Sequence, residues 1–430
     1  TGGLIVLKKP SNKRFYAREG FVICSMTWIV ISLVGAIPFV ITGVLPNYID
    51  ALFEIVSGFT TTGSSVITDL TPVPHCILLW RSFSHWIGGM GVLVFILAVL
   101  PLFGGVDMHL MRAESPGPSV GKLVPNVKKT ASYLYKIYLG MTVVQFVILL
   151  LSGMNLFDSI CITFGTAGTG GFGIHNDSCL GYTMPQQTII AVFMLLFGIN
   201  FNVYFLIVRK KVKEIFNIEE VKWYLIIVFG AVAAIVINWG DTENLYYSIH
   251  HAFFSVASVI TTTGYGTVDF NLWPMFSKFV IVMIMFIGAC AGSTGGGMKV
   301  SRILIYVKTV KKEIEGMIHQ KSIKVLKMDG KIVEHSVIRN ANVYLVSYLM
   351  IMAVSLLIVA LDNFDFETSF TAVAATFNNI GPGLGKVGPT GNFSEFSNLS
   401  KLVLTFDMLA GRLEIFPMLL LFSRATWSRK

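Results

Sequence analysis

Four short glycine-centred segments recur along the 430 residues: Thr60-Thr61-Thr62-Gly63-Ser64-Ser65, Gly168-Thr169-Gly170-Gly171-Phe172-Gly173, Thr261-Thr262-Thr263-Gly264-Tyr265-Gly266 and Asn378-Asn379-Ile380-Gly381-Pro382-Gly383. Each follows a short helical run of about 11 residues, which at 1.5 Å per residue reaches ~16 Å, half the thickness of a bilayer's hydrocarbon core. Spacing ties the copies together. Asp50 to Gly63 and Asp158 to Gly171 are both 13 residues, and Phe53 to Gly63, Cys161 to Gly171 and Phe254 to Gly264 are each 10; Phe370 to Gly381 is one longer. This register selects Gly171 over Gly170 as the second centre, with Phe172 matching Tyr265.

The setting is apolar. Hydrophobic residues make up 54% of the chain and charged residues 13%, with a mean hydropathy of +0.69, the composition of an integral membrane protein. Apolar stretches at 21–41, 77–100, 138–151, 188–208, 223–239, 276–291, 344–361 and 402–422 predict eight spans, since a helix needs ~20 residues to cross. Of the 33 Lys and Arg residues, 28 fall in 8–18, 112–136, 209–222, 299–339 and 424–430, which the positive-inside rule makes cytoplasmic along with both termini. The net charge of +9 is thus a topology signal, not a nucleic-acid surface. Acids gather in the other loops, at Asp50, Asp69, Asp158, Asp177, Asp241, Glu243, Asp269, Asp362, Asp365, Glu367 and Glu395; a negative outer face concentrates cations. The five cysteines are scattered, with neither a disulfide framework nor a zinc site in their spacing. The chain opens on Thr1 without an initiator Met or a signal peptide, as a fragment lacking upstream helices would.

These signals combine into an all-α polytopic membrane fold. A span, a re-entrant half-helix with its glycine segment and a second span repeat four times around one central pore, all repeats running in the same direction. The partition is a basic N-terminal segment 1–20, repeat 1 at 21–103, a loop 104–132, repeat 2 at 133–208, a loop 209–222, repeat 3 at 223–307 with an intramembrane loop 288–298, a basic segment 308–340, repeat 4 at 341–423 and a tail 424–430. A half-helix ending at mid-depth presents a partly negative carboxyl end that favours a cation. Irregular backbone is tolerated there only where it is buried in protein or lines a wet cavity. The third segment is close to the Thr-Val-Gly-Tyr-Gly loop whose carbonyls replace the hydration shell of potassium. The competing reading, small residues as helix-packing patches, fits any one copy but not four at a shared register.

The Thr-Thr-Thr-Gly runs at 60–63 and 261–264, Thr169-Gly170-Gly171-Phe172 and Asn378-Asn379-Ile380-Gly381-Pro382-Gly383 resemble the Trk/Ktr/HKT superfamily of potassium transporters, most closely its bacterial TrkH-type pore subunits. So do His85-Trp86-Ile87-Gly88-Gly89-Met90-Gly91, Ala291-Gly292-Ser293-Thr294-Gly295-Gly296-Gly297-Met298-Lys299 and Ala410-Gly411-Arg412-Leu413-Glu414. The resemblance covers essentially the whole chain, although such proteins commonly carry two further helices ahead of the first repeat. It implies a potassium-selective, channel-like uptake protein of the bacterial plasma membrane. It also implies a homodimer with a pore in each protomer and regulation by a cytosolic ring of nucleotide-binding RCK subunits of the TrkA type. Potassium is the cargo, no organic cofactor is expected, and the filter is assigned to residues 60–63, 168–171, 261–264 and 378–381. All four centres are glycine, where a serine at the first goes with sodium permeation in this family. Alternatives on the same scaffold are a sodium- or proton-coupled symporter and an ammonium- or sodium-permeable carrier; a membrane enzyme is the rival from another class.

Below the filter, Gly292-Ser293-Thr294-Gly295-Gly296-Gly297-Met298 fails as a phosphate-binding loop, because Met298 precedes the lysine and Val300 follows it. The resemblance identifies it as the loop that obstructs the pore, moved aside when the ring pulls on the extension 299–339; the bland alternative is a passive kink. Arg412 stands mid-span, where a charge costs ~2.5 to 3.5 kcal/mol on insertion scales. It is read as an electrostatic barrier in the ion path, against a structural partner of Asp407 and Glu414. Glu54 is a cation-stabilising acid or a carboxylate bonded to filter backbone. Arg81, His85, His250, His251, Asn200 and Asn202 read as packing and interfacial groups. The lysine-rich stretch 308–331 fits an anionic lipid or a protein.

Overall fold

The computed structural model describes residues 17–91, 127–240, 244–319 and 325–427. The segments 1–20 and 104–132, the end of the stretch 77–100, the tail 424–430 and the loop acids Asp241 and Glu243 lie wholly or partly outside the described residues.

The helices follow one order four times: a long helix, a short helix, a glycine segment and a second helix. The first group is α1 (Ala17–Gly35, extended by Ile37–Ile41), α2 (Tyr48–Phe59) and α3 (His75–Met90). The second is α4 (Val127–Leu151), α5 (Leu156–Gly168), α6 (Met184–Gly198) and α7 (Phe201–Val208). The third is α8 (Glu219–Trp239), α9 (Leu245–Ile260), α10 (Met275–Ile287) and α11 (Val300–Ile318). The fourth is α12 (His335–Val359), α13 (Phe366–Phe377), α14 (Asn398–Arg412) and α15 (Phe416–Phe422).

Every short helix starts on a side-chain cap. The Asn47 carboxamide accepts from Ile49 N at 3.0 Å, Asn155 from Asp158 N at 2.8 Å, Asn244 from Tyr247 N at 3.2 Å, and Asp365 from Thr368 N at 3.0 Å. An N-cap satisfies one of the amides that a helix start leaves orphaned, worth ~1 kcal/mol. These helices form the centre of the molecule: Phe53, Cys161, Phe254 and Val373 are fully buried. The long helices wrap them and leave Val30, Val143, Phe229 and Met350 exposed, the side chains a lipid-facing surface requires. Each second helix packs on the short helix of the next group, α3 on α5, α6 on α9, α10 on α13, and α14 back on α2. The chain thereby closes on itself.

The described residues do not bear out the full count of about eight spans. Among the described residues four helices are long and apolar enough to cross a membrane, at Gly20–Ile41, Ser132–Leu151, Glu219–Trp239 and His335–Asp362; a fifth results if α6 and α7, bent by 89°, count as one. Each second helix ends after 13 to 16 residues. Gly91 (φ 77°) ends α3, the Ile199-Asn200 step parts α6 from α7, a loop opens at Gly288 (φ 71°) after α10, and Glu414 and Ile415 (φ 59° and 68°) end α14. The all-α expectation also misses a small antiparallel hairpin, β1 (Lys327–Met328) with β2 (Lys331–Ile332), in the basic segment.

Candidate cation pathway

All four short helices end in the same way. Thr62 N donates to Ser57 O (2.9 Å), Gly170 N to Gly165 O (2.8 Å), Thr263 N to Ser258 O (2.8 Å) and Ile380 N to Ala375 O (2.8 Å). The residue before each donor, Thr61, Thr169, Thr262 or Asn379, lies in the left-handed region, at φ 56°, 55°, 59° and 55°. This helix stop satisfies terminal carbonyls and normally takes glycine. Two residues beyond it come Gly63, Gly171 and Gly264, with φ of 85°, 77° and 88°, and Gly381, which stands outside that positive-φ set. Measured from the helix stop, the fourth segment has the same length as the others; only the helix aromatic, Phe370, is displaced by one residue.

The segments meet in a cycle. A Cβ on Gly63 would strike the carbonyl oxygen of Gly170, and one on Gly171 that of Thr263; one on Gly264 would come within 2.9 Å of Gly381 N, and one on Gly381 within 3.0 Å of the Gly63 carbonyl carbon. The backbones therefore approach, in chain order, to distances that only glycine allows. Cross-bonds reinforce the cycle: Ser64 Oγ donates to Gly381 O at 3.0 Å and Asn379 Nδ2 to Thr62 Oγ1 at 3.0 Å.

Behind the first two segments lies a buried polar brace. Arg81 Nε donates to Glu54 Oε1 at 2.8 Å, both side chains being at most 2% exposed. The Glu54 carboxylate also accepts from Val66 N (2.9 Å) and from Ser65 Oγ, while Arg81 reaches Gly173 O (3.0 Å) and lies 4.1 Å over the Phe172 ring. Of the two roles open to Glu54, the geometry is that of a carboxylate holding the chain at Ser65 and Val66, just after the first glycine segment. His85 Nδ1 meets Gly58 O at 2.8 Å and its Nε2 accepts from Phe172 N at 3.2 Å. Reading Arg81 and His85 as packing and interfacial groups left out the buried polar brace they form; a charge and an imidazole within an apolar span were the available signal. His250 and His251 are packing groups bonded to Gln187 and Thr267.

The glycine-rich loop 288–298 packs against the ring of glycine segments. Gly296 N donates to Thr262 Oγ1 at 2.6 Å, and a Cβ on Gly295 would lie 2.8 Å from Thr261 O. The loop is pinned to the break between α6 and α7, with Cys290 N to Gly198 O at 3.1 Å and Phe201 N to Gly292 O at 3.0 Å. Arg412 reaches the same place, donating to Thr294 O (2.8 Å), Thr61 Oγ1 (3.2 Å), Gly89 O (3.1 Å) and Gly88 O. The suggested partnership of Asp407 and Glu414 with Arg412 gives way to other pairings: Asp407 accepts from Ser355 Oγ at 2.8 Å, and Glu414 pairs with Arg302, whose guanidinium lies 4.0 Å over Tyr344. On the opposite, acidic face, the Asn176 side chain holds the Asp69 carboxyl below the usual carboxylate range, and the Thr368 hydroxyl does the same for Asp365.

A helical, polytopic membrane protein with a closed ring of backbone segments and a glycine-rich loop packed against it belongs to the class of transporters rather than enzymes. Comparison with known proteins makes this specific. A family model described as "TrkH: Cation transport protein" matches residues 1–429, and the chain belongs to that family. It is 37% identical over 422 residues to the Trk system potassium uptake protein TrkH of Escherichia coli (strain K12), covering 96% of this chain and 86% of that protein. It is 35% identical over 435 residues to TrkG of the same strain, covering 99% and 89%. The crystal structure of the potassium transporter TrkH from Vibrio parahaemolyticus superposes with a TM-score of 0.84 at 31% identity, covering 98% of this chain and 88% of that one.

Proposed function

We propose that this chain is a potassium-selective, channel-like uptake protein of a bacterial plasma membrane, its four helix groups forming pseudo-symmetric repeats around one pore. The observation that carries the reading is the closed cycle of glycine segments. Positive and ordinary φ alternate at residues 61–63, 169–171 and 262–264; this alternation is read as turning successive carbonyls toward one side, and rings of such carbonyls replace the ion's hydration shell. The ends of the four short helices converge on the same place and favour a cation there. The basic side faces the cytoplasm. The loop 288–298 and Arg412 form the gate, the chain pairs as a homodimer, and a cytosolic nucleotide-binding ring of the TrkA type moves the loop through the extension that follows it. The names of the relatives, potassium uptake proteins and a potassium transporter, support the choice of cargo.

Rubidium flux into liposomes, competed by potassium, sodium and ammonium, tests it. Potassium is expected to compete best. Sodium competing equally well overturns the selectivity, and flux that requires a sodium or proton gradient favours a coupled symporter. Gly264→Ser, placed where Cβ has 2.9 Å to Gly381 N and φ is 88°, is expected to erode the preference for potassium over sodium.

A further inference from the structure

Glu220, in the first turn of α8, is buried and takes no part in the filter or the gate as described so far. Its Oε1 accepts from Ala291 N at 2.7 Å and from Ser301 N at 3.1 Å, and its Oε2 lies 3.4 Å from Asn200 Nδ2 in the break between α6 and α7. Ala291 and Ser301 stand on the two legs of the glycine loop, so one carboxylate oxygen bridges its base. Hydrogen bonds from backbone amides to a buried carboxylate are charge-assisted and strong, and this pair exists only with both legs in place. Lys299 Nζ, which donates to Gly295 O, ties the loop from within.

The neighbouring residue faces the basic side. The Glu219 carboxylate pairs with Lys308 on α11, and Glu219 N donates to Asp329 Oδ1 at 2.8 Å in the turn of the β1–β2 hairpin. Lys308 Nζ also reaches Lys327 O at 2.8 Å. Hairpin, α11 and loop base therefore converge on two consecutive residues of α8.

We propose that Glu220 is a positioning residue that latches the intramembrane loop shut, and that the β1–β2 hairpin is the handle through which displacement from the cytoplasmic side releases it. The proposal rests on the gate reading for its effect on transport, but the latch itself has a separate readout. Cys290 lies buried on the loop, and with the other four cysteines replaced by Ala its reaction rate with a small methanethiosulfonate reports loop release in the reconstituted full chain.

Glu220→Gln is expected to speed Cys290 modification by about tenfold, the scale of losing a charge-assisted bond, and to raise rubidium flux with an unchanged rubidium-to-sodium ratio. Asp329→Ala is expected to do the same to a smaller extent. A folded Glu220→Gln protein whose Cys290 reacts at the parental rate overturns the latch, as does a collapsed rubidium-to-sodium ratio, which would mean a disturbed filter. Should Glu220→Gln aggregate, Asn200→Ser and Asp329→Ala decide, and unchanged Cys290 reactivity in both overturns it. Deleting Gly295 to Gly297 in parallel separates the two readings. Flux raised by the deletion while Cys290 stays protected in Glu220→Gln sinks the latch and leaves the gate; flux unmoved by the deletion while Glu220→Gln exposes Cys290 sinks the gate and leaves the latch.

Discussion

Arg412 bonds to three elements that are far apart in the chain: the helix end at Gly88 and Gly89, the glycine loop at Thr294 and the filter threonine Thr61. A guanidinium has five donors in a rigid fork, so one side chain can cross-link all three. Bonded beside the ring of glycine segments, it is both a positive charge on the proposed ion path and a strut for the loop. Arg412→Gln, which keeps two donors and removes the charge, is expected to raise rubidium flux about tenfold, the equivalent of ~1.4 kcal/mol off the barrier. Loss of folded protein with no gain in flux would assign the residue a structural role alone. The sequence marks Arg412 and Glu54 as charges in apolar spans but not their partners: those of Glu54 are local, at Ser65, Val66 and Arg81, whereas those of Arg412 follow from closure of the ring, which brings Thr61 to a residue 351 positions away. Helical spacing could not supply the pairing of Glu414, because α14 stops at Arg412 and Glu414 lies in the left-handed region.

Among the elements, the four short helices are legible from the glycine register, since a close backbone approach demands glycine; their stops are not, because the left-handed position holds Thr61, Thr169, Thr262 or Asn379 where glycine is the usual residue. The breaks in the second helices are not legible from hydropathy. The runs 188–208 and 402–422 keep an apolar average across Asn200 and across Arg412 and Glu414, and hydropathy weighs composition, not φ. The hairpin did carry a signal. Asp329 and Gly330, at φ 51° and 74°, form the Asp-Gly turn that joins two short strands, hidden in a basic segment read only for its charge. For the loop, contact with Thr262 and Arg412 gives the gate reading a direct test. Deleting Gly295 to Gly297 removes the Gly296 amide that meets Thr262 and shortens the obstruction without touching the glycine ring. Rubidium flux is expected to rise while the ranking of potassium, rubidium and sodium stays as in the parent; unchanged flux in correctly folded protein sinks the gate.

At the scale of the whole molecule, cyclic packing makes one unit from four weakly similar segments, and the separation of charge gives it two unlike faces. On the proposed topology the acidic face would act on ions before they reach the ring, because a mouth lined with one sign of charge raises the local concentration of the other. Asp69 and Asp365 are suited to test this, as both are held in the charged form by hydrogen bonds from Asn176 and Thr368. Replacing both by Asn keeps an acceptor oxygen for the cap at Thr368 N and removes two charges. The expected result is a rise in the apparent KM for rubidium of roughly two- to threefold at low ionic strength, with the maximal rate unchanged. The difference should vanish near 1 M salt, where the screening length falls to ~3 Å. The sign with pH follows from the same bonds. A carboxyl whose pKa in the folded protein is depressed stays ionised as pH falls, so the contribution of these two persists through pH 5 and is lost only below their ordinary value of 3.8. A KM that already climbs between pH 7 and 5, or that ignores the double substitution at low salt, would remove the acidic face from the account of uptake and leave the ring to select ions unaided.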